Sequence, residues 1–102
     1  MSGLVVTEKQ FQATVIELAK VLKWKCYHTH DSRRSEPGFP DLALCRGDRL
    51  LFAELKRDGG GKLTPAQTEW LSALAQVRIV EARMWTPASW DAIVLTLQSD
   101  RG

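Results

Sequence analysis

Two short apolar runs, residues 41–45 and 50–57, flank the polar tetrapeptide Arg46-Gly47-Asp48-Arg49, and this arrangement restricts the chain more than any other feature. Runs of that length around a short Gly-containing connection read as a β-hairpin. A hairpin fixes register as well as direction, because strand side chains alternate with a period of two. A four-residue connection at 46 to 49 sets Cys45 opposite Leu50, and counting outward sets Asp41 opposite Glu54. Cross-strand neighbours have Cβ atoms about 4.5–5.5 Å apart. Two carboxylates at that distance repel unless a cation lies between them or one is protonated. The pair makes little sense as a stability device and good sense as a divalent-metal site, because Mg²⁺ takes carboxylate oxygens and keeps positions open for water and phosphate.

The rest of the chain supplies elements that pack around such a hairpin. Residues 7–22 read as an amphipathic helix with Thr7 as N-cap, since Phe11, Val15, Leu18, Ala19 and Leu22 recur at helical spacing. Residues 24–28 read as a strand, and 29–40, rich in Ser, Arg, Pro and Gly, as a loop. Gly59-Gly60-Gly61 is a flexible break. Thr64-Pro65-Ala66-Gln67 then opens a helix with Thr at N-cap, Pro at N1 and Gln at N3, the pattern of a capping box. That helix runs to about Gln76 and is expected to bury Trp70, Leu71 and Leu74. Residues 78–85 read as a strand, and Thr86-Pro87 starts a last helix with Trp90, Ile93, Val94 and Leu97 on one face. The order helix, three strands, helix, strand, helix describes an α/β domain: a meander followed by a strand–helix–strand crossover gives a mixed sheet flanked by helices.

At 102 residues without repeat, low-complexity segment or linker, the chain is expected to form one domain over 1–102 with one modest core. No apolar run nears the roughly 20 residues that span a bilayer, and no signal-peptide pattern opens the chain, which points to a cytosolic setting. Cys26 and Cys45 lack metal-ligand spacing and are expected to be buried thiols. Net charge is only +2, but from Lys20 to Lys62 ten Lys/Arg face six Asp/Glu, whereas the remainder carries four basic and six acidic residues. A basic centre suits a phosphate-facing surface, as it suits many solvated faces.

Further residues join the facing carboxylates. Lys56 lies two positions beyond Glu54, so both side chains leave one face of the strand; an ammonium there can neutralise a scissile phosphate and orient or deprotonate the attacking water. On the first helix, Glu8 and Gln12 point along the apolar stripe of Phe11, Val15, Ala19 and Leu22, while Glu17 points away. A carboxylate on an apolar stripe is expensive to bury unpartnered, so Glu8 is the candidate helix-borne acid approaching the metal. Gln67 sits on the inner side of its helix and is open to two roles: completing the capping box, or bonding to the catalytic acid or lysine. His30, Arg33, Arg34, Ser35 and Lys62 are the candidate DNA contacts, being a polar and basic loop just before the metal site and a lysine just after it. Each element alone has a plainer explanation: Glu-x-Lys as a solvated ion pair, Asp41 as a turn cap after Pro40, Glu8 as a helix-dipole partner. Their conjunction carries the weight.

Gly38-Phe39-Pro40-Asp41, Phe52-Ala53-Glu54-Leu55-Lys56 and Leu63-Thr64-Pro65-Ala66-Gln67 together resemble the VRR-NUC domains of the PD-(D/E)xK nuclease superfamily. The resemblance extends from Glu8 with Phe11-Gln12 to Trp85-Thr86-Pro87. Pro-Asp followed by Glu-x-Lys at hairpin spacing is shared across the superfamily, whereas Gly-Phe-Pro-Asp and Thr-Pro-x-Gln point to VRR-NUC. The resemblance implies a restriction-endonuclease-like core and Mg²⁺ or Mn²⁺ as cofactor. It implies Asp41 and Glu54 as ligands, the backbone carbonyl of Leu55 as a third, Lys56 as catalytic lysine, and roles for Glu8 (directly or through water) and Gln67. Family members occur within large repair nucleases or alone in phages and bacteria. This short chain is similar to the standalone sort, which implies a homodimer cutting branched DNA such as a Holliday junction, in the cytoplasm of a bacterium or phage-infected cell. The leading expectation is a metal-dependent DNA endonuclease. The alternative from another class is a DNA-binding or assembly module without useful turnover that works beside a partner nuclease or helicase.

Overall fold

The structure is a computed structural model and describes residues 6–29 and 34–100. Helix α1 (Glu8–Val21) leads into strand β1 (Lys25–His28), then β2 (Leu42–Arg46), β3 (Arg49–Leu55), helix α2 (Pro65–Ala75), strand β4 (Val80–Trp85), a 3₁₀ turn (Pro87–Ser89) and helix α3 (Trp90–Gln98). The four strands lie in the order β1-β2-β3-β4, with the β1–β2 and β2–β3 pairs antiparallel and the β3–β4 pair parallel. This is the mixed sheet that the pattern of runs predicts. Among the described residues no helix is long and apolar enough to cross a membrane.

The hairpin turn is tighter than the sequence reading. Arg46 pairs with Arg49, so only Gly47 and Asp48 form the loop, yet Cys45 still faces Leu50 and the register is the expected one. Gly47 has φ +60°, at the first central position of a two-residue hairpin, where a type II′ turn needs a residue free of Cβ. The α1 terminus solves a similar problem without glycine. Lys23 adopts φ 75°, and the Lys23 and Trp24 amides donate to the Lys20 and Ala19 carbonyls, closing a Schellman motif. That reversal drops Trp24 into the core at the start of β1.

Strand alternation sorts the sheet into two faces. Leu42 and Leu44 of β2 and Leu51, Ala53 and Leu55 of β3 point one way and bury against Phe11, Val15 and Ala19 of α1 and Ile93 and Leu97 of α3, with Trp24 and Trp85 closing the same cluster. The opposite face carries Phe52, whose ring meets Phe39 edge-on at 5.6 Å, and Phe39 meets Trp70 of α2 at 5.0 Å. α2 therefore covers this second face, mainly along β3 and β4. Among the described helices α2 covers this face alone, and Trp70, Leu71 and Leu74 are half-buried rather than buried as expected. Cys45, on the same face at the hairpin end, lies beyond α2 and is exposed, while Cys26 is half-buried; neither is the buried thiol expected.

Arg46 and Arg49 also depart from expectation. Counted in the sequence as part of a basic, phosphate-facing centre, they turn inward instead. Arg49 makes a two-pronged ion pair with Glu81, at 2.8 and 2.6 Å, and donates to the Thr96 and Ser99 carbonyls. Arg46 donates to the Leu22, Leu97 and Ser99 carbonyls. Both guanidiniums stack on Trp24, 4.7 and 4.9 Å from its ring, and the indole N–H donates to Leu97. The last carbonyls of a helix lack intrahelical donors and carry its negative end, so these two cations hold α3 onto the hairpin.

Candidate active site

Strand alternation breaks at one place in β3. Glu54 belongs to the half-covered face of Leu50 and Phe52, yet it is only 3% exposed. The first turn of α2 covers it. Pairing of Leu42 with Ala53 brings Asp41, one residue before β2, beside Glu54, one residue on along β3. The loop that delivers Asp41 is pinned to the same helical turn. Gly38 has φ +90°, and a Cβ there would fall 2.4–2.7 Å from Ala66 atoms, so only glycine permits this approach.

The hydrogen bonds at the site are directional. Asp41 Oδ2 accepts from the Leu55 backbone N–H at 2.8 Å. In an extended strand the N–H and C=O of one residue point to the same side, so the Leu55 carbonyl also faces the Asp41 side. Gln67 Nε2 donates to Glu54 Oε2 at 2.9 Å, while Gln67 Oε1 accepts from the Thr64 N–H at 2.8 Å and Thr64 Oγ1 accepts from the Gln67 N–H at 3.1 Å. The two roles left open for Gln67 are thus filled at once. Lys56 Nζ lies 3.9 Å from Glu54 Oε2. Glu54 Oε1 is buried with no hydrogen-bond partner.

Electrostatics agree with that orphaned oxygen. Burial above all, and then the Asp41 carboxylate, push the Glu54 carboxyl from an ordinary 4.5 up to about 8; Lys56 pulls the other way, and Glu8 adds a smaller push. A buried carboxyl beside a second one holds its proton unless a cation replaces it. The donor set fits a hard divalent ion: two carboxylates, one with a vacant buried oxygen, and a peptide carbonyl on the same side. Among the described residues no three His, Cys, Asp or Glu side chains cluster at metal-binding distance.

The site opens into a cavity of about 460 Å³ lined by Glu8, Asp41, Glu54, Lys56 and Gln67, with Ser35, Glu36 and Thr29 on its far wall. Glu8 comes to this cavity from the first turn of α1 and Glu17 does not, as the helix phase predicts. Glu8 is exposed at the rim, however, rather than buried. The apolar stripe begins to bury only at Phe11, one turn later. Ser35 is exposed and on the cavity wall; Arg34 and Lys62 are exposed but do not line it. His30 and Arg33 lie outside the described residues. Glu36 and Thr29 are lining residues that sequence reasoning missed, since nothing in the loop pattern singles them out.

No family model and no curated protein sequence matches the chain. Among solved structures, one described as a VRR_NUC domain protein aligns with a TM-score of 0.70 and 27% sequence identity, covering 93% of this chain and 88% of that one.

Proposed function

We propose that this VRR-NUC domain is a metal-dependent DNA endonuclease that hydrolyses a phosphodiester bond in the cavity bounded by Asp41, Glu54 and Lys56. The likeness of its fold to a VRR_NUC domain protein, over 93% of this chain, supports the nuclease reading. One observation carries the proposal furthest: a buried glutamate with an unsatisfied oxygen, set beside a second carboxylate at the floor of an open polar cavity. Such an arrangement costs stability unless one carboxyl holds a proton or a cation lies between the two.

Asp41, Glu54 and the Leu55 carbonyl would hold Mg²⁺ or Mn²⁺, with Glu8 reaching the ion through water from the rim. When bound, the ion supplies Lewis-acid charge stabilisation and a hydroxide-like nucleophile near neutral pH. The protein's own groups do the rest. The Leu55 N–H fixes Asp41, Gln67 fixes Glu54, and Lys56 offers an ammonium to the phosphate or to the attacking water. Arg34, Ser35 and Lys62, with His30 and Arg33, would meet the flanking phosphates. The fuller form of the proposal, which the family resemblance suggests, is a homodimer acting on branched DNA in the cytoplasm of a bacterium or phage-infected cell.

The test is a panel of labelled single-stranded, duplex, flap and four-way-junction DNAs with Mg²⁺ or Mn²⁺, using EDTA and Lys56→Ala as controls. Cutting that requires both metal and Lys56 is the expected result, with the branched members cut first. Binding without cutting in any member would replace the nuclease with an assembly module.

A further inference from the structure

Both long N-capped helices use a capping box, but the two boxes are wired differently. In α1, Gln10 Oε1 accepts from the Thr7 N–H and the box ends there. In α2, the equivalent glutamine carries its free amide nitrogen on to Glu54. A backbone N–H can only donate, so the Gln67 atom facing Thr64 must be the oxygen, and the atom facing Glu54 must be the nitrogen. The Thr64 backbone N–H therefore settles which end of the amide meets the buried glutamate. Without it the side chain could rotate and present Oε1 to Glu54 instead.

We infer that Thr64 is a positioning residue for the proposed metal site: its Oγ1, by accepting from the Gln67 N–H, holds the Thr64 peptide over Gln67 Oε1 and so orients the amide that donates to Glu54 Oε2, which leaves Glu54 Oε1 free for a cation. This rests on the proposed metal site, and it extends the functional unit beyond residues that touch the ion. Two reciprocal bonds join Thr64 and Gln67, at 2.8 and 3.1 Å, and one at 2.9 Å joins Gln67 to Glu54; the two made by the Gln67 side chain are short enough to constrain its rotamer. Gly38 packs closely against the same turn at Ala66, where a Cβ would fall within 2.4–2.7 Å. Outer partners of this kind tune metal affinity because they fix the orientation of the ligand.

The inference is tested with Thr64→Ala, Thr64→Ser, Gln67→Glu and Ala73→Gly, the last weakening α2 at an exposed position away from the cap. The first readout is the Gln67 side-chain amide pair in ¹H–¹⁵N spectra of the metal-free protein. It is expected at shifted, exchange-protected positions in the wild type and in Thr64→Ser, and at solvent-averaged positions in Thr64→Ala. The second readout is the affinity for Mn²⁺ alone by calorimetry. Thr64→Ala is expected to lose about 10- to 100-fold, Thr64→Ser to restore it, and Gln67→Glu, which keeps the cap acceptor but loses the donor, to lose at least as much as Thr64→Ala. Ala73→Gly should leave both readouts at wild-type values. An unchanged Gln67 signal in Thr64→Ala, or an Ala73→Gly protein that loses as much Mn²⁺ affinity, overturns the relay. A wild type that binds no Mn²⁺ instead overturns the metal site itself, and the amide spectra still decide whether Thr64 orients Gln67.

Discussion

Glu54 is the residue on which the proposal most depends, and its protonation links the fold's stability to the proposed metal site. Its folded-state pKa of about 8 lies above the ordinary 4.5. The folded protein therefore holds this proton more tightly than the unfolded chain does. The stabilisation from that proton is complete below about pH 4.5 and is lost as pH rises through about 8. Metal-free wild type should lose stability relative to Glu54→Gln across this window, by on the order of a few kcal/mol, measured as the difference in denaturant midpoints at pH 5 and 8. Added Mn²⁺ should reverse the trend in wild type alone, because a cation takes only the deprotonated carboxyl. Parallel midpoint curves for the two proteins would show that Glu54 titrates normally. The facing of Asp41 and Glu54 was legible in the sequence because turn length and strand period fix it. The burial of Glu54 was legible only indirectly, since it depends on where α2 lands.

At the scale of elements, the capped helix starts announce themselves locally, and the helix ends do not. Thr64-Pro65-Ala66-Gln67 is a complete local signal, and α2 begins where it says. Lys23 gives no such signal, although it takes the left-handed position where glycine is the usual choice. Lys23→Gly should stabilise the protein by about 0.5–1 kcal/mol, read from chemical denaturation; a loss instead would mean that the Lys23 side chain contributes contacts that outweigh the backbone strain. Arg46 and Arg49 were illegible for a different reason. Flanking a turn, they look like solvated charges, and their partners on α3 lie some fifty residues later in the chain. Arg49 is 6% exposed and paired with a largely buried Glu81. Arg49→Ala should cost about 3–5 kcal/mol, the penalty for stranding a buried charge. Adding Glu81→Ala should recover part of it, and strict additivity in that double-mutant cycle would show that the pair is not coupled.

For the molecule as a whole, the sheet serves two purposes with its two faces. The α1–α3 face holds the apolar core, and the α2 face, less fully covered, leaves room for a polar cavity at the C-terminal end of β3. The apolar core and the proposed site are thereby separated across one layer of strands. Asp41, Glu54, Lys56 and Gln67 stand on the thinly covered side, while Glu8 reaches round from the other. This division makes one comparison decisive for the nuclease reading. Wild type and Asp41→Ala are compared for DNA affinity and for cleavage in the same Mn²⁺-containing samples. The account predicts that Asp41→Ala binds DNA as well as wild type, or better, while cleavage disappears. Cleavage that survives Asp41→Ala, or binding that is lost along with it, would contradict the assignment of this carboxylate pair as the catalytic metal site.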